Sequence, residues 1–155
     1  MRLGVLRTRT RFIWDRRRDV ANIGIQLVKC EVRIRRGGVA SAREAFRAER
    51  SDRAIVASGS APDELARIIE RMGHRSAGLI VCIQRSIVLE HLLESAGFDC
   101  VFHIGAKRPD GAEYAFHAWV TIDGLPLADN TVDDIGSYVE FDSTSLPGSP
   151  NRLMR

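Results

Sequence analysis

The chemistry open to this chain starts with three thiols, Cys30, Cys82 and Cys100, and four imidazoles, His74, His91, His103 and His117. A nucleophilic thiol needs its pKa lowered, and the positive end of a helix is one way to do that. Cys82 stands where an apolar helical run, Ile83 to Ala96, should begin, so its sulfur can lie near unpaired backbone N–H groups. Those N–H groups can also hold the oxyanion of an acyl-transfer intermediate. Cys30 falls in a mixed basic and apolar helical stretch, and Cys100 heads an alternating strand pattern; both read as structural. An odd number of cysteines without CxxC spacing argues against a disulfide framework and against a cysteine-rich zinc site. No metal is expected.

A base must accompany the thiol. His74 follows Gly73, which reads as a helix stop, and so belongs to a surface loop. His91 lies two turns past Cys82 in the same helix. His103 shares by pattern the sheet face of His117 and stays open as an alternative. His117 sits at the centre of the most apolar strand, between Phe116 and Trp119. An imidazole there is either a hydrogen-bonded core residue or a base, and a helix-head cysteine favours the base. The third member should orient the imidazole. Asp123 is six residues along the same strand, roughly 20 Å away, and cannot reach. The returning strand offers Asp129 and Asn130. A plain two-residue turn at Asp123-Gly124 would set His117 opposite Asn130. A three-residue turn, or a bulge near Pro126, would set it opposite Asp129. Pattern alone leaves the two equal.

The elements that must position these groups follow from periodicity. Residues 3–35 carry Leu6, Ile13, Ile23, Leu27 and Val28 among arginines, consistent with one or two helices ended by Gly37-Gly38. Ala40 to Glu49 reads as a short helix. Ser60 and Asp63, with Pro62 in the first turn, mark the start of another, with Leu65, Ile68, Ile69 and Met72 on one face. Gly97 should end the Cys82 helix. Period-two alternation then predicts a strand around Cys100–Gly105, a strand over Tyr114–Ile122, and a hairpin at Asp123-Gly124 returning through Leu125 to Asn130. Ser137 to Phe141 adds a further candidate strand. Helices followed by a helix and an antiparallel meander make an α+β layout. The expected division is a basic helical segment at 1–58, a catalytic core at 59–142 and a mobile Ser-, Pro- and Gly-rich tail at 143–155, in one compact domain overall.

Net charge is +3, but unevenly spread: residues 1–53 hold 15 Lys and Arg against 6 Asp and Glu, and residues 54–155 hold 8 against 14. A basic arm on an acidic body fits nucleic acid, acidic lipid, an acidic protein partner, or simply a solvated helix face. No nucleic-acid recognition motif accompanies the arginines, which ranks that partner last. No stretch approaches the roughly 20 apolar residues of a membrane span. Arg7, Arg9, Arg11 and Arg16 interrupt any signal-peptide core, so a cytoplasmic location is expected.

Several blocks taken together resemble a known family. Cys82-Ile83-Gln84-Arg85-Ser86-Ile87-Val88-Leu89 precedes Leu92-Leu93 and Gly97. Phe102-His103-Ile104-Gly105 follows, and then Phe116-His117-Ala118-Trp119-Val120 with Gly124. In order and spacing, over about residues 60–130, they are similar to the lasso-peptide leader peptidases, bacterial cysteine proteases of the transglutaminase-like superfamily. The resemblance implies a papain-like core with the nucleophile helix packed on an antiparallel sheet. By position it also implies a Cys82, His117 and Asp129 triad, selecting Asp129 over Asn130 and, with it, a hairpin at Asp123-Gly124 that is not a plain two-residue turn with an unbulged ladder. It implies removal of the leader from a ribosomally made precursor, with no ATP, metal or other cofactor needed for the cut. The implied partners are the precursor leader, a separate leader-recognition protein and the ATP-dependent macrolactam cyclase. Gln84, Arg85 and Trp119 are candidate substrate contacts beside the site, against a structural or surface role. Two other readings compete: a non-catalytic binding module on the same fold, and an acyltransferase that passes the acyl group to an amine.

Overall fold

A computed structural model describes residues 3–49, 61–75, 82–107, 115–127 and 132–140. Its element order is α1 (Leu3–Ala48), α2 (Pro62–Arg75), α3 (Cys82–Ser95), β1 (Val101–Lys107), β2 (Ala115–Ile122), β3 (Leu125–Pro126), a 3₁₀ helix (Val132–Ser137) and β4 (Val139–Glu140). The four strands form one sheet in the order β3-β2-β1-β4, and every described pairing is antiparallel. The fold is α+β, as expected.

The first helix is interrupted where the paired glycines predict. Gly38 has φ 81° and ψ 177°, a backbone state open essentially to glycine alone, and the chain changes direction there. Before the break Ile23, Leu27, Cys30 and Ile34 recur every three or four residues and are buried; after it Ala42 and Phe46 continue the same core. Pro62 opens α2, where its missing N–H is harmless, and Leu65, Ala66 and Ile69 face inward. Ser60, the expected cap, lies outside the described residues.

Gly73 does not close α2. The helix runs through it to Arg75, so His74 belongs to the helix rather than to a loop. The reason is packing: a Cβ at position 73 would sit 2.7 Å from Arg85 Cδ. Glycine in a helix interior costs about 1 kcal/mol relative to alanine, and here its missing side chain makes room for Arg85. Gly97 does close α3. At φ 88° it donates to Glu94 O while Phe98 N–H reaches Leu93 O at 3.0 Å, the paired bonds of a Schellman cap.

Ten of the fourteen residues of α3 are buried, because α1, α2 and the sheet all pack on it. Pairing of β1 with β2 sets Phe102 opposite Val120 and Ile104 opposite Ala118, and these four join α3 in the core. The other sheet face carries His103, Gly105, His117, Trp119 and Thr121.

The β2–β3 hairpin corrects one expectation. Ile122 pairs with Leu125 and Thr121 with Pro126, and Leu127 N–H donates to Val120 O at 3.0 Å. The loop is therefore a plain two-residue turn with no bulge at Pro126, rather than a three-residue one. Asp123 and Gly124 have φ of 51° and 75°, both positive, as a type I′ turn needs. An Asp-Gly pair supplies those conformations at little cost, and that local preference sets the register through Leu127. Asp129 and Asn130 lie outside the described residues, as does the tail from 141 on.

Candidate active site

Cys82 is the first residue of α3, and no acidic side chain occupies that helix's first turn to compete for its positive end. Two elements are brought together at the sulfur. Cys82 hydrogen-bonds His117 of β2 and also meets the backbone of Ala118. Burial is the largest single influence and pushes the thiol up. The His117 hydrogen bond and charge, the Ala118 backbone and the Arg85 charge pull it down, and the net position is below the ordinary value. The other two thiols behave oppositely: burial, reinforced by nearby carboxylates, pushes Cys30 and Cys100 up to about 12. A partly buried thiol that is nonetheless lowered is placed for nucleophilic chemistry, whereas Cys30 and Cys100 are held in the protonated form.

The packing that fixes this meeting is specific. Ser86, one turn after Cys82, donates its hydroxyl to Ala118 O at 2.8 Å in a buried bond. Ala118 is thus held to α3 at two points, and the His117 backbone is held with it. On the far side, His117 stacks against Trp119 (centroids 5.9 Å, planes 10° apart) and tilts against Tyr138 at 5.5 Å. Gly105, directly opposite His117, has no Cβ; one there would lie 3.1 Å from Tyr138 Cβ and 3.3 Å from the Trp119 ring. The missing side chain lets Trp119 and Tyr138 pack down onto β1.

His103 and His91 are committed elsewhere. His103 also stacks on Trp119 (centroids 5.3 Å), with Nδ1 2.5 Å from Glu140 and Nε2 2.8 Å from the Thr121 hydroxyl. His91 is buried against Phe46, at 4.8 Å between ring centroids. Neither lines the cavity at Cys82.

That cavity, about 50 Å³, is bounded by Cys82, His117 and Trp119, by an apolar wall that includes Ile69, Leu89, Val120 and Leu127, and by Glu70 and Arg85. Arg85 and Trp119 therefore stand where substrate contacts were expected. Gln84 does not: it is 1% exposed and is not part of the cavity lining. Sequence reasoning missed Ser86, Glu70 and Tyr138. Ser86 had a detectable signal, since i and i+4 share a helix face with Cys82; Glu70 and Tyr138 arrive through tertiary packing alone. Among the described residues, no group of three His, Cys, Asp or Glu side chains is arranged to hold a metal ion. Nor, among them, is any helix long and apolar enough to cross a membrane.

The profile of the transglutaminase-like superfamily matches residues 25–141, well over half of the chain. The chain belongs to that superfamily. Its helices and antiparallel four-stranded sheet are consistent with a transglutaminase-like core. Activities in the superfamily are of the cysteine hydrolase and acyl-transferase type. The match begins within α1, further toward the N-terminus than the motif blocks around Cys82 and His117. No curated protein and no solved structure matches the chain.

Proposed function

We propose that this transglutaminase-like protein is a cysteine peptidase that removes the leader from a ribosomally synthesised lasso-peptide precursor in the cytoplasm. The observation that carries the reading is the Cys82 thiol at the head of α3, lowered against its own burial by His117 and open to a cavity. The block resemblance around Cys82 and His117 supplies the substrate class.

In this mechanism His117 takes the Cys82 proton, and the sulfur attacks the carbonyl carbon at the leader–core junction. The C–S bond forms as the carbonyl π electrons move to oxygen. The Cys82 backbone N–H, at the first position of α3, donates to that oxyanion. Collapse of the intermediate breaks the C–N bond, and His117 gives its proton to the leaving amine. Water, deprotonated by His117, then attacks the thioester, releasing the leader carboxylate and restoring the thiol. Asp129 is proposed as the orienting partner of His117 on the block resemblance alone; the observed two-residue turn, carried on past Leu127, would set Asn130 opposite His117 and makes Asn130 the alternative. Arg85 and Trp119 are proposed to contact the peptide. A separate recognition protein would deliver the leader, and an ATP-dependent cyclase would close the ring of the released core.

The test is incubation with precursor and recognition protein, followed by mass measurement of the products. Free leader from the wild type and none from Cys82→Ala is expected. Unimpaired cleavage by Cys82→Ala would defeat the proposal, and an amine-crosslinked leader would point to acyl transfer instead. A Cys82 unreactive toward alkylation at neutral pH would favour a binding module. Asp129→Asn and Asn130→Ala decide the orienting group: the first should lower kcat and the second should not.

A further inference from the structure

Gly73 and Arg85 form a packing pair at the candidate site that the proposed mechanism leaves unexplained. Arg85 lies three residues after Cys82 on α3, and that spacing places both on one helix face. Its side chain crosses to α2. A Cβ at Gly73 would stand 2.7 Å from Arg85 Cδ and 3.4 Å from both Nε and Nη1. Gly73 is buried inside α2 and, unlike Gly38, Gly97 and Gly124, does not have a positive φ. At position 73 the missing side chain makes room for Arg85, and conformational freedom is not what glycine supplies there.

We propose that Gly73 is a notch that seats Arg85, and that the seated guanidinium is a positioning residue, holding positive charge beside the Cys82 sulfur to favour its anionic, nucleophilic form. Three charged or titratable groups share the cavity with that sulfur: His117 from β2, Glu70 from α2 and Arg85 from α3 itself. Arg85 contributes the smallest of the influences that draw the thiol down, after burial (which raises it), His117 and the Ala118 backbone. A partly exposed cation at this range is worth a modest factor, about threefold in thiolate population. The inference rests on Cys82 being the nucleophile of the preceding section.

The experiment follows carbamidomethylation of the Cys82 peptide by mass spectrometry, with iodoacetamide on the full chain between pH 5 and pH 9. Arg85→Gln should react about threefold more slowly near pH 6, with its profile displaced upward. Arg85→Lys should keep most of the wild-type rate. Gly73→Ala, which favours the helix and so leaves folding intact, should move the profile in the same direction by displacing the guanidinium. In the Arg85→Gln background, Gly73→Ala should add nothing. Iodoacetate should lose more rate than iodoacetamide in Arg85→Gln, because the cation also attracts the anionic reagent. An Arg85→Gln profile that superimposes on the wild type overturns this inference and leaves the peptidase reading standing. So does a Gly73→Ala effect undiminished without Arg85. A wild-type Cys82 no more reactive than an ordinary thiol overturns both.

Discussion

Glu90 sits two turns past Cys82 on α3, with only 3% of its side chain exposed, and takes its partners from the part of α1 after the Gly38 break. Arg43 donates through Nε at 2.7 Å and through Nη2 at 2.6 Å, one bond to each carboxylate oxygen, and Arg47 adds a third at 3.2 Å. The Arg43 guanidinium also lies 4.4 Å over the Phe102 ring of β1. Glu90→Gln keeps the shape but removes the charge and turns an N–H toward a guanidinium. Breaking a buried pair by neutralising one partner costs about 3–5 kcal/mol. Arg43 is 15% and Arg47 55% exposed, so water recovers part of that. The expected loss is about 2–3 kcal/mol. With a urea slope of about 2 kcal/mol per molar, the unfolding midpoint should fall by about 1–1.5 M at constant slope. Replacing the bidentate pair, Arg43→Met with Glu90→Met, should recover most of it, because no buried charge is left stranded and Arg47, 55% exposed, is solvated by water. A midpoint shift in Glu90→Gln below about 0.3 M would refute the reasoning and make the cluster an ornament of the surface.

Other outcomes follow from single sites. Iodoacetamide at pH 7 should label Cys82 and spare Cys30 and Cys100, whose burial pushes them up to about 12; peptide mapping after partial labelling reads this directly. Burial holds the His91 imidazole below its ordinary 6.5, outweighing the opposing pull of Glu49 and Glu90. The unfolded chain then binds the extra proton first, so this stabilisation is full above pH 6.5 and is lost as pH falls below it. His91→Phe should flatten the decline of Tm with pH just below 6.5, and an unchanged slope would contradict the burial argument. Gly38→Ala forces a Cβ into φ 81° and should cost about 1–3 kcal/mol, visible as a lower Tm; an unchanged Tm would mean that the α1 break relaxes freely.

Much of the scaffold was legible because its signals are local. The Gly37-Gly38 break, Pro62 at a helix start, the Gly97 cap and the alternation through β1 and β2 each depend on a few neighbouring residues. Cys82 at a helix head and His117 on a strand are equally local, and the structure brings them into contact. The failures have a common cause: one local signal can serve two tertiary ends. Gly73 looks like a stop signal, yet it is a packing notch for a residue on another helix. Asp123-Gly124 asks for a two-residue turn, and the expectation of a longer one came from a wish to face Asp129 toward His117 rather than from the turn's own chemistry. Glu90 and Gln84 are polar residues in an apolar helix, and only three-dimensional packing shows that both are buried. The 3₁₀ helix at Val132–Ser137 carries no periodic signal.

The charge asymmetry of the chain also takes on a different meaning. Read along the sequence, a basic first third looks like a docking arm. In the structure Arg43 and Arg47 are bonded to Glu90, and Lys29 and Arg33 to Glu49. Part of the excess is therefore spent inside the fold, clamping α1 to itself and to α3. That clamp is one of three fixings on the helix that carries Cys82: Glu90 ties it to α1, Ser86 to the Ala118 carbonyl of β2, and Arg85 to the Gly73 notch of α2. The fixings come from three different elements. A thiol that must meet an imidazole on another element within hydrogen-bond reach depends on such support, because a displacement of about 1 Å is enough to cost activity. On this argument the basic helices matter to the site even though, among the described residues, none of theirs lines the cavity beside Cys82, and loosening Glu90 should slow Cys82 alkylation as well as lower the urea midpoint.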